Sequence, residues 1–304
     1  HKDIDIDHIP LDDEKTFKLF CEGRMVGIFQ FESAGMQKYL RELQPDRFEL
    51  LIAMNALYRP GPMKYIPQYI ARRHGREEII YDVPETKEIL EETFGVTVYQ
   101  EVMLLSRSLA NFTRGQSDSL RKAMGKKKIE EMEKLKADFL KGGVENGHSK
   151  EVLEKIWMDW EDFAKYAFNK SHAACYSWLA YQTAYLKAHY PIEYFCSYLN
   201  AYKGDKQEDL LVYIHDAKQH GIRILPPDAR STTCDWHIVC DKDGKKALRM
   251  ALNYIAGVGD LPVPLDNYGG IPKDKAEALI KAGAFDFLGD RQSMLEHLYK
   301  AGTL

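Results

Sequence analysis

His172-Ala173-Ala174-Cys175-Tyr176-Ser177-Trp178-Leu179-Ala180-Tyr181-Gln182-Thr183-Ala184-Tyr185-Leu186-Lys187-Ala188-His189-Tyr190 is the stretch on which the fold turns. Its apolar and aromatic side chains are spread over nearly every side of a 3.6-residue turn, so it reads as a helix running through a core. Ser171 is the expected N-cap and Pro191 the expected stop.

On the N-terminal side the pattern stays helical. Asp12 or Asp13 is placed to cap a first helix that turns Phe17, Leu19 and Phe20 inward. Gly27-Ile28-Phe29-Gln30-Phe31 reads as a short strand or turn. Helices are expected at about 33–43, 46–57, 63–74, 85–92, 100–110, 116–124, 128–146 and 149–166. Arg59-Pro60-Gly61-Pro62 stops the second of these, because neither proline nor glycine propagates an α-turn. Asp3, Asp5 and Asp7 alternate with isoleucines, so on an extended strand the three carboxylates would share one face. That is how a metal-binding D-x-D looks, and equally how an exposed strand edge looks.

The pattern changes at Ile222-Arg223-Ile224-Leu225-Pro226-Pro227. After a helix at about 205–220, β-like runs appear at Trp236-His237-Ile238-Val239 and Ala247 to Leu252, with Asp241-Lys242-Asp243-Gly244 as a hairpin turn between them. Gly257-Val258-Gly259, a Pro/Gly-rich stretch and helices at about 273–282 and 290–300 close the chain. The expected fold is mainly α, with a helical domain over 1–215 followed by a small α+β segment over 216–304.

At 304 residues and 45% apolar, the chain can bury a sizeable core, and no run approaches a membrane span. Its start, His1-Lys2-Asp3-Ile4-Asp5, has neither an initiator Met nor a signal peptide, and reads as an internal boundary. The five cysteines form no C-x-x-C pair, which fits a reducing cytoplasm. Cys234, His237 and Cys240 lack the fourth ligand of a structural zinc site, so no metal is assigned.

The net charge of −4 points to no polyanionic partner, but its distribution does. Arg59 to Arg76 and Ser119 to Ile129 each carry five Lys/Arg and no acid. Leu120-Arg121-Lys122-Ala123-Met124-Gly125-Lys126-Lys127-Lys128 packs cations around one glycine, where long side chains could converge on a triphosphate or a phosphodiester. It lacks the spacing of a P-loop, and a lysine-rich solvated turn would look the same. Phe168-Asn169-Lys170-Ser171-His172 opens the buried helix, whose N–H groups favour an anion. Lys170 and His172 add donors there, and Tyr166 and Phe168 add flat surfaces for a base or sugar. A capped helix with core aromatics would read alike. The two prolines fix where Arg59 points. Gly257 and Gly259 suit a hairpin whose amides hold a DNA phosphate, although most such turns simply turn.

Taken in order, Ile9-Pro10-Leu11-Asp12-Asp13, Phe29-Gln30-Phe31-Glu32-Ser33, Arg59-Pro60-Gly61-Pro62, Tyr99-Gln100-Glu101, Arg121 to Lys128, Phe168 to His172, Tyr181 to Pro191, Ile224 to Asp228 and Leu279 to Asp286 resemble the bacterial family C replicative DNA polymerases over nearly the whole chain. The resemblance implies a fingers domain over 1–215, then a β-hairpin and the start of a helix–hairpin–helix duplex-binding region over 216–304. It implies template-directed DNA synthesis in the intact enzyme, with a DNA primer-template, deoxynucleoside triphosphates and other replisome subunits as partners. The Mg²⁺ ions of such enzymes are held by palm aspartates that lie upstream of the matched part. No catalytic residue is therefore carried onto this chain, and by itself it is expected to be inactive.

By the same resemblance Arg121, Lys122, Lys126, Lys170 and His172 neutralise the triphosphate. Tyr166, Phe168 and Arg59 sit against the nucleotide, and Gly257 and Gly259 meet DNA. Lys122 stands where many relatives have a second arginine, and Asp260 to Lys273 is shorter than the corresponding family segment. The rival reading is a non-catalytic nucleic-acid-binding module whose basic clusters serve only the phosphate backbone.

Overall fold

A computed structural model describes residues 4–126, 128–163, 168–202, 207–259, 261, 265 and 268–303. They form two compact units, His1–Tyr185 and Leu186–Leu304.

The first unit is helical. Helix α1 (Glu14–Glu22) starts where Asp13 accepts the Thr16 N–H at 2.7 Å and stops at Gly23, whose φ of 65° is the left-handed region glycine tolerates. Ser33 caps α2 (Ala34–Leu43), and α3 (Phe48–Leu57) is buried on almost every side. After it the chain turns through Gly61 at φ 105°, takes one 3₁₀ turn (Pro62–Tyr65) and enters α4 (Ile66–Arg73). Helices α5 (Pro84–Leu90), α6 (Glu101–Ala110), α7 (Arg114–Lys126), α8 (Ile129–Glu145) and α9 (Lys150–Phe163) follow. Their shared core holds Leu105, Leu109, Leu120, Phe139, Trp157 and Trp160. Gly142 of α8 lies so close to the end of α6 that a Cβ there would stand 2.4 Å from the Ala110 carbonyl oxygen.

Helix α10 (Lys170–His189) confirms the stretch quoted first as a helix, but not as one buried all round. Small residues, Ala173, Ser177, Ala180 and Ala184, form its buried side together with Tyr181, while Cys175 and Leu179 are exposed. Phe17 and Phe48 pack on the Tyr181 ring at centroid distances of 5.5 and 5.9 Å. The Tyr181 hydroxyl donates to the Pro10 carbonyl at 2.8 Å and accepts the Asp13 N–H at 3.1 Å, closing the unit across its sequence.

Three local expectations are corrected. The N-cap of α10 is Asn169, whose Oδ1 accepts the Ser171 N–H at 2.9 Å; Ser171 lies inside the helix. Ile6–His8 is a 3₁₀ turn capped by Asp5, so Asp5 and Asp7 do not share a strand face, and Asp3 lies outside the described residues. Pro191 does end α10, but it also starts a further helix, α11 (Pro191–Ala201), because proline at the first helical position gives up an N–H that has no intrahelical partner.

The second unit contains α11, α12 (Gln207–Gln219) and a sheet of β1 (Ile224–Leu225), β2 (His237–Cys240) and β3 (Lys246–Arg249) in the order β1-β3-β2. β2 and β3 are an antiparallel hairpin with Ile238 opposite Leu248, and β1 runs parallel to β3. The Asp241 carboxylate receives the N–H groups of Asp243 and Lys245, both at 2.9 Å, which shapes the hairpin turn. Helices α13 (Lys273–Ala282) and α14 (Arg291–Ala301) close a second core around Leu252, Ile255, Val258, Leu279, Ile280 and Phe285. The division between units falls at Tyr185, before the 215/216 division drawn from the pattern. Lys187, fully buried near the end of α10, pairs with Asp216 of α12 at 2.7 Å, which fastens that end of the helix into the second unit.

Candidate functional site

The cation-rich helix α7 presents Arg121 and Lys122 together, and one carboxylate holds both. Asp118 Oδ1 accepts from Arg121 Nη2 at 2.8 Å and Nε at 3.1 Å, and Asp118 Oδ2 lies 2.7 Å from Lys122 Nζ. These hydrogen bonds and charges hold the Asp118 carboxyl below the usual carboxylate range, Lys122 contributing most. Lys126 is exposed at the end of the same helix. Lys127 lies outside the described residues.

Lys170 opens α10 on another side of the unit's network. Its ammonium lies 2.6 and 2.7 Å from the two carboxylate oxygens of Glu92 and 5.3 Å from the centroid of the Tyr99 ring. A pocket of about 380 Å³ beside it is lined by Glu88, Glu92, Tyr99, Gln100, Glu101 and Lys170 among others, and Arg121 is not part of its wall. Arg121 and Lys170 thus rest on different carboxylates of different elements.

His172 lies on the exposed surface of α10. Its ring stacks on Tyr176 at 4.1 Å and 30° and meets Phe168 edge-on at 5.3 Å and 83°. Phe168 in turn lies under the Arg59 guanidinium at 4.0 Å, while Arg59 Nε donates to the Ala56 carbonyl at 2.8 Å. Burial holds the Arg59 guanidinium below its ordinary pKa. So the turn does aim Arg59 at the start of α10, through stiff backbone at Pro60 and Pro62. Phe168, His172 and Arg59 come together, whereas Tyr166 lies outside the described residues.

Of the rest of the first basic run, Lys64 and Arg76 are exposed, and Arg72 and Arg73 are taken up within the fold. Arg72 pairs with Glu77 at 2.9 Å and donates to the Phe94 carbonyl, and Arg73 pairs with Asp46 at 2.7 Å. Gly257 and Gly259 sit in the left-handed region at φ 82° and 59°, with no atom within 4 Å of where a Cβ would stand. Val258 between them is buried, so the glycines face outward on a turn anchored by its middle residue. The backbone can be approached there, but the neighbouring pocket carries Asp274 and Glu277, with Lys281 paired to Glu277. Among the described residues the turn leads to a 3₁₀ turn (Tyr268–Gly270) before α13 begins.

A buried ionisable group and a buried ion pair escaped the sequence reading. Glu101, the first residue of α6, accepts the Tyr99 N–H at 2.6 Å and is 6% exposed. Burial pushes its carboxyl up to about 7, against the opposing pull of backbone N–H bonds and Lys170. The other is the Lys187–Asp216 pair, beside which the His220 Nδ1 contacts the Asp216 backbone oxygen at 2.9 Å. A lysine inside an otherwise apolar helix was the available signal for it.

The resemblance assigns magnesium to palm aspartates upstream of the matched part. Among the described residues no three His, Cys, Asp or Glu side chains are grouped to hold a metal, and Asp5 is engaged with the Asp7 N–H and with His8. Cys234 donates its thiol to the Leu261 carbonyl. No helix among the described residues is long and apolar enough to cross a membrane.

The family model for the bacterial DNA polymerase III alpha subunit finger domain matches residues 1–147. The chain is 42% identical over 316 residues to the DNA polymerase III subunit alpha of Aquifex aeolicus, covering 96% of this chain and 27% of that protein. It is 40% identical to the subunit of Thermus aquaticus, covering 97% and 26%, and 42% identical to that of Borreliella burgdorferi, covering 97% and 27%. The match spans about a quarter of the length of these relatives.

Proposed function

The chain belongs to the bacterial DNA polymerase III alpha subunit family, with the finger domain at its N-terminal side, and from that premise we propose that it grips the triphosphate of an incoming deoxynucleoside triphosphate while holding DNA during template-directed synthesis. The observation that carries this reading is the start of α10. There Lys170 and His172 are exposed beside a helix N-terminus, and Arg59 and Phe168 stack next to them. Charge suited to phosphate beside a flat face suited to a nucleotide, together in one short stretch, supports the reading.

Arg121 and Lys122 of α7 add donors that can exchange Asp118 for phosphate oxygens. Arg121 offers a planar fork and Lys122 a point charge. Charge that builds on a departing pyrophosphate is stabilised by such preplaced cations, which is where this chain would lower the barrier. Metal-bound chemistry and the carboxylates that support it are assigned to the parts of the subunit outside this stretch, so the chain alone is expected to bind and not to polymerise.

In a full-length polymerase carrying Arg121→Ala, primer extension should lose about 10²-fold or more in kcat/KM, the usual scale for one lost transition-state donor. Extension at the unsubstituted rate refutes the triphosphate role. One observation favours a second reading, in which the cations track the DNA backbone: Arg121 and Lys170 rest on separate carboxylates. In that case Arg121→Ala weakens DNA binding, makes it less salt-sensitive, and leaves the dependence on nucleotide concentration unchanged.

A further inference from the structure

Among the described residues Lys170 is paired with one carboxylate, that of Glu92, whose two oxygens lie 2.6 and 2.7 Å from the ammonium. The two partners are built very differently. Glu92 sits in a 3₁₀ turn (Glu91–Thr93) between α5 and α6 that its neighbours pin in place. The buried Thr93 donates its hydroxyl to the Leu90 carbonyl at 3.3 Å, and the N–H groups of Phe94 and Gly95 bond back to Glu91 and Leu90. Phe94 holds a left-handed φ of 54°, which a bulky residue adopts only where its surroundings impose it. Its ring meets Tyr69 at 5.2 Å, and its carbonyl accepts from Arg72 at 3.2 Å. Lys170 is the opposite case, an ammonium on a long flexible stem at the start of α10. The carboxylate is therefore the fixed partner, and the ammonium is the one that can swing.

The pair lies in water rather than in the core, with 47% and 41% of the two side chains exposed, so it is weak and yields to a competing anion. The ground beside it is acidic. The neighbouring pocket carries the exposed Glu88 and the buried Glu101 as well as Glu92, and Glu101 also attracts the Lys170 charge. A phosphate can thus win the ammonium, yet it faces carboxylates while it holds it, and Glu92 keeps the place to which the ammonium returns. We propose that Glu92 is a positioning residue that parks Lys170 before a triphosphate arrives and reclaims it afterwards, which helps pyrophosphate to leave. This rests on the reading above that Lys170 meets the triphosphate.

The test is steady-state primer extension by a full-length polymerase carrying Glu92→Gln, Lys170→Ala or both, with pyrophosphate added as product inhibitor. Gln keeps the size of Glu and one accepting oxygen but removes the charge. Glu92→Gln should lower both the KM for the nucleotide and the Ki for pyrophosphate about three- to fivefold, the scale of one exposed ion pair. A damaged fold does not produce tighter binding, so the result separates this role from a structural one. Lys170→Ala should raise both constants, and adding Glu92→Gln to it should then change neither. Constants unchanged or raised by Glu92→Gln, or lowered just as much when Lys170 is absent, overturn the proposal. So does tighter primer-template binding with the nucleotide KM unchanged, which would put Lys170 on the DNA backbone. Lys170→Ala without effect on the KM sinks the triphosphate reading of Lys170 itself. A raised KM in Lys170→Ala beside an unchanged one in Glu92→Gln sinks only the role of Glu92.

Discussion

Replacing Glu101 by Gln should make the first unit more stable at pH 8 and leave it nearly unchanged at pH 4.5. In the folded chain the Glu101 carboxyl sits at about 7, against 4.5 for a carboxyl in water, with burial as the main cause. Between those two values the folded state holds a proton that the unfolded state has released, so stability falls as pH rises from 4.5 to 7. At about 1.4 kcal/mol per unit, that is a cost on the order of 3 kcal/mol, fully present above pH 7 and absent below 4.5. Gln keeps an oxygen to accept the Tyr99 N–H and carries no charge to desolvate, so most of that cost should vanish. Native-state hydrogen exchange of the α6 amides at several pH values measures it where it arises. Parallel pH profiles for the two proteins, or a Gln variant less stable at pH 8, would refute the reasoning. That a carboxyl is kept at such a cost fits a charge that steadies Lys170, which is also where strongly shifted groups gather in working sites.

In the second unit, Lys187→Met should cost about 3–5 kcal/mol, because it leaves the Asp216 carboxylate buried without its ammonium. Adding Asp216→Leu should recover most of that loss, and calorimetry of the two variants checks it; equal melting of Lys187→Met and the unsubstituted chain counts against the pair. Gly142→Ala should lose about 1–3 kcal/mol in urea unfolding, since its Cβ would press on the Ala110 carbonyl at 2.4 Å. A gain of about 1 kcal/mol, the ordinary helix-propensity effect, would mean that α6 and α8 can part without penalty.

Local signals in the chain were readable because they act over one turn. Asp13 caps α1 through a residue three positions on, Asp241 builds its hairpin turn from its own neighbours, and the β2–β3 pairing follows the alternation around it. The cap of α10 was misread by two positions because Asn169 and Ser171 offer the same short-range bond and only the surrounding backbone chooses between them. α11 was missed because proline marks an end and a beginning alike. Arg59, Lys170 and His172 were singled out from a stiff turn and a helix start. Asp118, Glu92 and Glu101 were not, because what matters about each is a partner placed by the tertiary fold. Glu92, for instance, meets Lys170 across 78 positions of sequence.

The bond from Tyr181 to Pro10 and Asp13 sets an order of events during synthesis. When residue 147 has been joined, every position matched by the finger-domain model exists, yet Phe17 and Phe48 still lack the ring they pack against. Loop closure across that span cannot begin before α10 leaves the ribosome, so a nascent chain paused earlier presents apolar surface that the finished one hides. The compact unit is thus closed by residues that come after the last position the finger-domain model matches.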